Sequence, residues 1–447
     1  MAKQSDGNIE KTKPETFSGI PIATAGAPID FRDSWRIFRI ITEFVEGYQF
    51  LSELKREVTI LGSARLKPNN KYYKIAEDLG RMLGKGGFTV ITGGGPGIME
   101  AANKGAFEAG GESVGLNIQL PFEQRINPYV QKSIAFYYFF TRKVMLTSPA
   151  SAFVFFPGGF GTLDEFFEVV DSMELGHMER APIVLVGSEF WNPVISFLKN
   201  KSIAEVNSLG ETEIQDWHVV DTAEEAIEFL KDVKDRPSIC GVGDLTCEGG
   251  PNWRIFRIMA ELVDGFEFLS GLNNDVTILG TKSSLPGSSY YQAAYEIGQT
   301  LALNKYTVIT GGGPGTMEAV NKGAFEKGGV SVGIDMIMPV GERRNNYLTK
   351  SLGFSFPFVR KLIITAPSKA FIFFPGGFGT LHQLFELLTL IETKKTAPVP
   401  LLLYGRTFWQ PLLDFIHKLH ADFNTISALD GDSLKVLDRP DEVLNYL

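Results

Sequence analysis

Along this chain, short and nearly continuous apolar runs rich in Val, Ile and Phe alternate with longer stretches whose apolar positions recur at helical spacing. In the N-terminal half, Glu57 to Leu61, Phe88 to Thr92, Ser113 to Ile118, Ala152 to Phe156 and Ile183 to Val186 read as strands. Tyr72 to Lys85, Met99 to Ala109 and Leu163 to Met173 read as helices. Strands that are apolar along their whole length and separated by helices belong to a parallel sheet covered on both faces. The expected fold class is α/β, doubly wound and Rossmann-like, with ligands bound beyond the carboxyl ends of the strands.

The pattern is written twice. Trp35 to Ile40 recurs at Trp253 to Ile258, an offset of 253 − 35 = 218 positions. At the same offset Val58 to Gly62 returns at Val276 to Gly280, Ile91 to Gly97 at Ile309 to Gly315, and Pro157 to Thr162 at Pro375 to Thr380. A period this long marks a duplicated domain, since solenoid units are only about 20–50 residues. The predicted organisation is a disordered tail at 1–30, a first domain at 31–235, a linker at 236–251 and a second domain at 252–447. The helix opening each copy has apolar positions at Trp35, Phe38, Ile41, Phe44, Val45 and Tyr48, matched by Trp253, Phe256, Met259, Leu262, Val263 and Phe266. That face is expected to join the copies as an intrachain pseudo-dimer about a two-fold axis, with further homo-oligomers open.

Composition narrows the partners. A net charge of −9 argues against a surface that grips nucleic acid, so any phosphate must be held locally. No apolar run reaches the ~18 residues of a membrane span and the polar N-terminus lacks a signal segment, which predicts a cytoplasmic protein without membrane contact. Cys240 and Cys247, with six residues between them, match no metal or disulfide signature, and the histidines form no ligand-spaced cluster, so no metal is expected.

Two glycine loops carry the candidate chemistry. The strand ending at Thr92 runs into Gly93, Gly94, Gly95, Pro96 and Gly97 and then into a helix. Glycines let backbone N–H groups close on an anion, and the helix N-terminus adds free donors. It is no Walker loop, and the dinucleotide spacing fails at Ile98. The second loop, Pro157-Gly158-Gly159-Phe160-Gly161-Thr162, repeats the geometry. Thr162 as N-cap with Glu165 three positions on would form a capping box, which explains both residues without catalysis. The second copy has Gln383 at the position of Glu165, which preserves such a cap and removes the charge. Arg142 and Lys143 are expected to open a helix ahead of this loop, the arginine offering a planar fork for phosphate or carboxylate.

Together, Gly-Gly-Gly-x-x-x-Met-Glu, Arg142-Lys143 and Pro-Gly-Gly-x-Gly-Thr-x-x-Glu resemble the LOG family, the cytokinin-activating phosphoribohydrolases also labelled lysine decarboxylases. The resemblance implies a Rossmann-like fold and hydrolysis of the N-glycosidic bond of a purine nucleoside 5′-monophosphate, AMP or an N6-modified nucleotide, without cofactor. It implies Arg142 and Glu165 as catalytic, and Ser63, Arg65, Gly93, Gly94, Gly95, Gly97, Met99, Glu100, Glu123, Lys143, Gly158, Gly159, Gly161 and Thr162 as substrate-binding. Asp164 is the alternative carboxylate. The second copy departs at Gln383, at His382 for Asp164, at Ser283 for Arg65 and at Lys395 for His177, and is expected to be degenerate. Lysine decarboxylation would call for a Schiff-base lysine, which neither loop offers. A non-catalytic nucleotide-binding protein is the competing reading.

Overall fold

The structure, a computed structural model, describes residues 31–119, 126–234, 251–337, 344–366, 368–427 and 434–447. The tail at 1–30, Glu123, both cysteines, the side chains of Trp35 and Trp253, and the linker before Pro251 lie outside the described residues.

The first copy runs α1 (Phe31–Leu51), β1 (Glu57–Leu61), α2 (Lys71–Lys85), β2 (Thr89–Thr92), α3 (Ile98–Glu108), β3 (Glu112–Ile118), β4 (Lys132–Phe136), α4 (Phe139–Thr147), β5 (Ala152–Phe155), α5 (Phe160–Glu174), β6 (Ile183–Val186), α6 (Ser188–Phe197), β7 (Trp217–Val220) and α7 (Ala223–Leu230). The second repeats it as α8 (Pro251–Leu269), β8 (Asp275–Leu279), α9 (Ser289–Leu303), β9 (Thr307–Thr310), α10 (Thr316–Glu326), β10 (Ser331–Met336), β11 (Lys350–Phe354), α11 (Pro357–Thr365), β12 (Ala370–Phe373), α12 (Phe378–Glu392), β13 (Leu401–Tyr404), α13 (Arg406–Ala421) and β14 (Leu434–Leu437).

Among the described residues each copy holds a seven-stranded parallel sheet, ordered β4-β3-β2-β1-β5-β6-β7 and β11-β10-β9-β8-β12-β13-β14. The chain enters each sheet at its centre, winds outward on one side, and returns next to the first strand. The reversal between β1 and β5 is the switch point at which such sheets leave a crevice. Strand residues alternate between two apolar layers. Val58, Ile60, Val90 and Val154 pack under α2 and α3, whereas Leu61, Ile91, Phe153 and Phe155 face the other way.

That second layer does not stop at the domain surface. One apolar cluster runs from Phe44, Phe160 and Phe167 into Phe354, Phe378 and Phe385 of the other copy. Equivalent helices meet: α5 lies against α12, α1 against α8, α6 against α13 and α4 against α11. Phe190 meets Phe415 with ring centroids 5.3 Å apart, and Phe197 meets Phe408 at 5.4 Å, the same contact with the copies exchanged.

The face expected on the opening helices is corrected. Phe38 and Phe256 are about three-fifths exposed and Val263 is exposed, while Ile40, Phe44, Ile258 and Leu262 are buried. The stripe is rotated because the buried side also takes in Glu43, whose carboxylate accepts from the Tyr137 and Tyr138 amides and from the Thr141 hydroxyl. Burial pushes the Glu43 carboxyl up. Among the described residues no helix is long and apolar enough to cross a membrane.

Candidate functional site

The loops after β1, β2 and β5 are stitched together at the switch point. The Ser63 amide donates to the Pro157 carbonyl at 3.1 Å, and the Ser63 carbonyl accepts from the Ile98 amide at 3.0 Å, closing the first turn of α3. Gly97 caps that helix at φ 72°, where a Cβ would run into the Ser63 carbonyl. The glycine loop is held from behind by buried amides. The Thr92 hydroxyl accepts from the Gly94 amide at 2.9 Å, and the Asn127 side chain donates to the Gly95 carbonyl and to Asn103, both at 3.0 Å. The same bonds recur at Thr310, Gly312, Gly313, Asn321 and Asn345.

Arg142 lies in the second turn of α4, not at its start, because the helix begins at Phe139. Three features fix its guanidinium. Nε donates to the Leu116 carbonyl at 3.0 Å, Nη1 donates to Glu165 Oε1 at 2.9 Å, and Nη2 lies 2.5 Å from where a Cβ on Gly93 would stand. Met99 Sδ closes the other side of Gly93, so this glycine is required by close approach. Arg142, Glu165, Gly93 and Met99 are thus brought together.

Glu165 is not a helix cap. The N-cap of α5 is Gly159, with no side-chain cap bond, so the expected capping box does not form. Thr162 sits inside the first turn against Gly158, and Glu165 is free to pair with Arg142. Burial pushes the Glu165 carboxyl up, and the Arg142 charge offsets only part of that. A carboxyl raised in this way is a stronger base once ionised.

Asp164 is used elsewhere. It accepts from Lys143 Nζ at 2.8 Å and stands 3.3 Å from His382 Nε2 of the second copy. Burial opposes its charge, but Lys143 and His382 prevail and hold its carboxyl below the usual range. Lys143, expected to line the substrate site, is turned into the seam. Its side chain is 2 % exposed, and Nζ is spent on Asp164, Glu168 and Glu386, the last from the second copy. Burial works against that ammonium, and the three carboxylates outweigh it and raise its pKa well above normal. On the other side Lys361 reaches Asp171 at 2.9 Å and donates to His382 Nδ1 at 2.6 Å. Donation to Nδ1 leaves the proton on Nε2, the atom facing Asp164.

Other expected site residues lie at the rim. Gly159 abuts the Thr425 carbonyl and Gly161 faces Thr389, both of the second copy. Arg65 reaches across to Glu392 at 2.6 Å, and Glu100 accepts from the Tyr73 hydroxyl at 3.2 Å. Sequence reasoning missed Asn103, Asn117 and Asn127. Asn117 is buried, with an Oδ1 lacking a partner among the described residues and pointing at Gly94. Lys395 Nζ donates to the Gln119 carbonyl at 2.7 Å and the Tyr137 carbonyl at 3.1 Å, tying the end of β3 to the approach to α4. The signal for the asparagines was identity between copies, since Asn103 and Asn127 stand at Asn321 and Asn345. Among the described residues no group of metal-ligating side chains assembles.

A family described as "Possible lysine decarboxylase" matches residues 99–230 and 307–447, one segment in each copy and together more than half of the chain. A cytokinin riboside 5′-monophosphate phosphoribohydrolase of Rhodococcoides fascians is 25% identical over 151 residues, which is 33% of this chain and 76% of that protein. The Arabidopsis thaliana enzyme of the same name, LOG1, is 28% identical over 191 residues, 41% of this chain and 84% of that one. A solved structure, the X-ray structure of TM1055, is 26% identical, covers 40% of this chain and 99% of its own, and has a TM-score of 0.32. The matched segments carry the Arg142–Glu165 pair in one copy and its altered counterpart in the other, and this chain belongs to the LOG family, with the family's unit present twice.

Proposed function

We propose that the first copy hydrolyses the N-glycosidic bond of a purine nucleoside 5′-monophosphate, AMP or an N6-substituted relative, to free base and ribose 5-phosphate. The observation that carries the reading is the Arg142–Glu165 pair, 2.9 Å apart and pressed against the Gly93 loop. The name borne by the relatives agrees with it. The loop amides and the start of α3 take the phosphate, and Arg142 orients an anionic group of the substrate. Departure of the base takes the C1′–N electron pair and leaves positive charge on the ribose, as in glycoside hydrolysis. Glu165 stabilises that cation and accepts a proton from the water that adds to C1′, the departing base takes up a proton from solvent, and Glu165 then returns its own to solvent. Asp164 is excluded from this role by its two partners.

The test is incubation of the full chain with AMP, N6-isopentenyl-AMP and adenosine, with base release followed by chromatography. Release from the nucleotides and little from adenosine is expected. Equal turnover of adenosine and AMP would remove the phosphate loops from the reading.

A further inference from the structure

The second copy retains what holds an anion and has lost what would cleave its bond. Gly312 and Gly315 keep the first copy's backbone, at φ 72° and 71° against 69° and 72° for Gly94 and Gly97. The Thr316 amide closes the helix start on the Thr281 carbonyl at 3.0 Å, and Arg360 Nε donates to the Ile334 carbonyl at 2.8 Å, as Arg142 does to Leu116. Arg360 Nη2 borders Gly311, as Arg142 Nη2 borders Gly93. At the position of Glu165, however, stands Gln383, an amide in place of the carboxylate.

Two buried polar atoms here lack a hydrogen-bond partner among the described residues. One is Oγ1 of Thr316, the first residue of α10, whose side chain borders Gly280 at the loop's back. The other is Nε2 of Gln383, from the position at which Glu165 meets its arginine. Thr316 is 1% exposed and Gln383 5%. A ligand oxygen beside Gln383 would supply the acceptor that its Nε2 lacks.

We infer that the second copy binds a nucleoside 5′-monophosphate without hydrolysing it, and that its occupancy is felt at the first copy's site. The ligand class rests on the function proposed for the first copy. The route is short: Gln383 adjoins His382, which faces Asp164, which adjoins Glu165. A ligand that engages Gln383 acts on the second turn of α12, and α12 lies along α5. Such coupling is reciprocal in binding: a ligand at either site alters the affinity of the other by the same factor.

Equilibrium dialysis of labelled AMP against Glu165→Gln, which leaves AMP intact, is expected to give two sites per chain. Adding Arg360→Ala is expected to leave one. A single site in Glu165→Gln, or two sites persisting after Arg360→Ala, overturns the inference. If Arg360→Ala loses the parent's melting transition, Gly311→Leu replaces it and is read in the same way, with persistence of two sites again overturning the inference. His382→Asn is expected to retain both sites and to abolish any effect of binding at one on affinity for the other; unchanged coupling overturns the route. Wild-type base release, measured separately, tests the first copy's activity, so a failure there is distinguishable from a failure of the second site.

Discussion

Phe167 and Phe385 occupy the same position in the two copies and stack on each other, ring planes 4° apart and centroids 5.5 Å apart. Phe140 and Phe358, another equivalent pair, stack at 11°. Two equivalent rings can lie parallel in contact only where the axis relating the copies passes between them, so these pairs mark the centre of the seam. Phe167→Ala removes a fully buried ring from the shared apolar layer and should cost about 3–5 kcal/mol. Denaturant unfolding of the wild type should show a single transition; two transitions, with Phe167→Ala affecting neither spacing nor midpoint, would mean that the seam contributes little.

For Glu165 the direction of its pKa fixes the pH profile. Burial raises this carboxyl, and as a base it acts only when ionised, so kcat/KM should fall as pH drops through a value above the ordinary carboxylate range. Glu165→Gln should lose more than a tenfold in rate, above about 1.4 kcal/mol of barrier. Since the side chain caps no helix, its melting temperature should barely move. A variant that is cold in activity only because it is unfolded would refute the assignment.

Lys395 gives a test confined to the second copy. Lys395→Met releases the Gln119 and Tyr137 carbonyls, loosening the segments that carry Asn117 and Arg142, and should lower kcat/KM by about tenfold, near 1.4 kcal/mol. Lys395→Arg should restore part of it. At the matching place in the first copy stands exposed His177, and His177→Ala should leave the rate unchanged. Equal effects of the two changes would show that the strut is not specific.

Asp275 predicts a pH dependence of stability. Burial raises its carboxyl from 3.8 to about 6, against a smaller pull from Lys369. The folded state therefore holds this proton more tightly than the unfolded one, so the stability it contributes is present below about pH 4 and is lost as pH rises through about 6. Asp275→Asn should gain on the wild type across that window, measured as the difference in melting temperature. Parallel curves for the two proteins would show that Asp275 keeps its charge when folded.

The fold was legible where burial imposes a pattern on both faces of a strand. β1 and β6 fall at the expected bounds because Glu57–Leu61 and Ile183–Val186 are buried throughout. β4 and β7 escaped notice because an edge strand such as Lys132–Phe136 is mostly exposed and carries no continuous apolar run. The Arg142 and Glu165 pairing was named from the family resemblance, and helix geometry turned Asp164 away from it, but where Asp164 points was not legible. Adjacent helix positions differ by about 100° in direction, and which of the two faces the loop and which the seam depends on packing against α12. For Lys143 the deciding groups are Glu386 and Asp164, one of them 243 residues away in the chain.

Joining the two units in one polypeptide changes what substitutions the axis can bear. In an assembly of two identical chains, a residue near the axis is altered on both sides at once. A histidine replacing Asp164 there would appear twice and would leave both buried lysines short of a carboxylate. Here His382 stands on one side only, facing an intact Asp164, while Lys361 finds Asp171 instead. Each half is free to accept mutations its partner does not share, so the two sides can diverge in chemistry while the aromatic stacks between them stay matched.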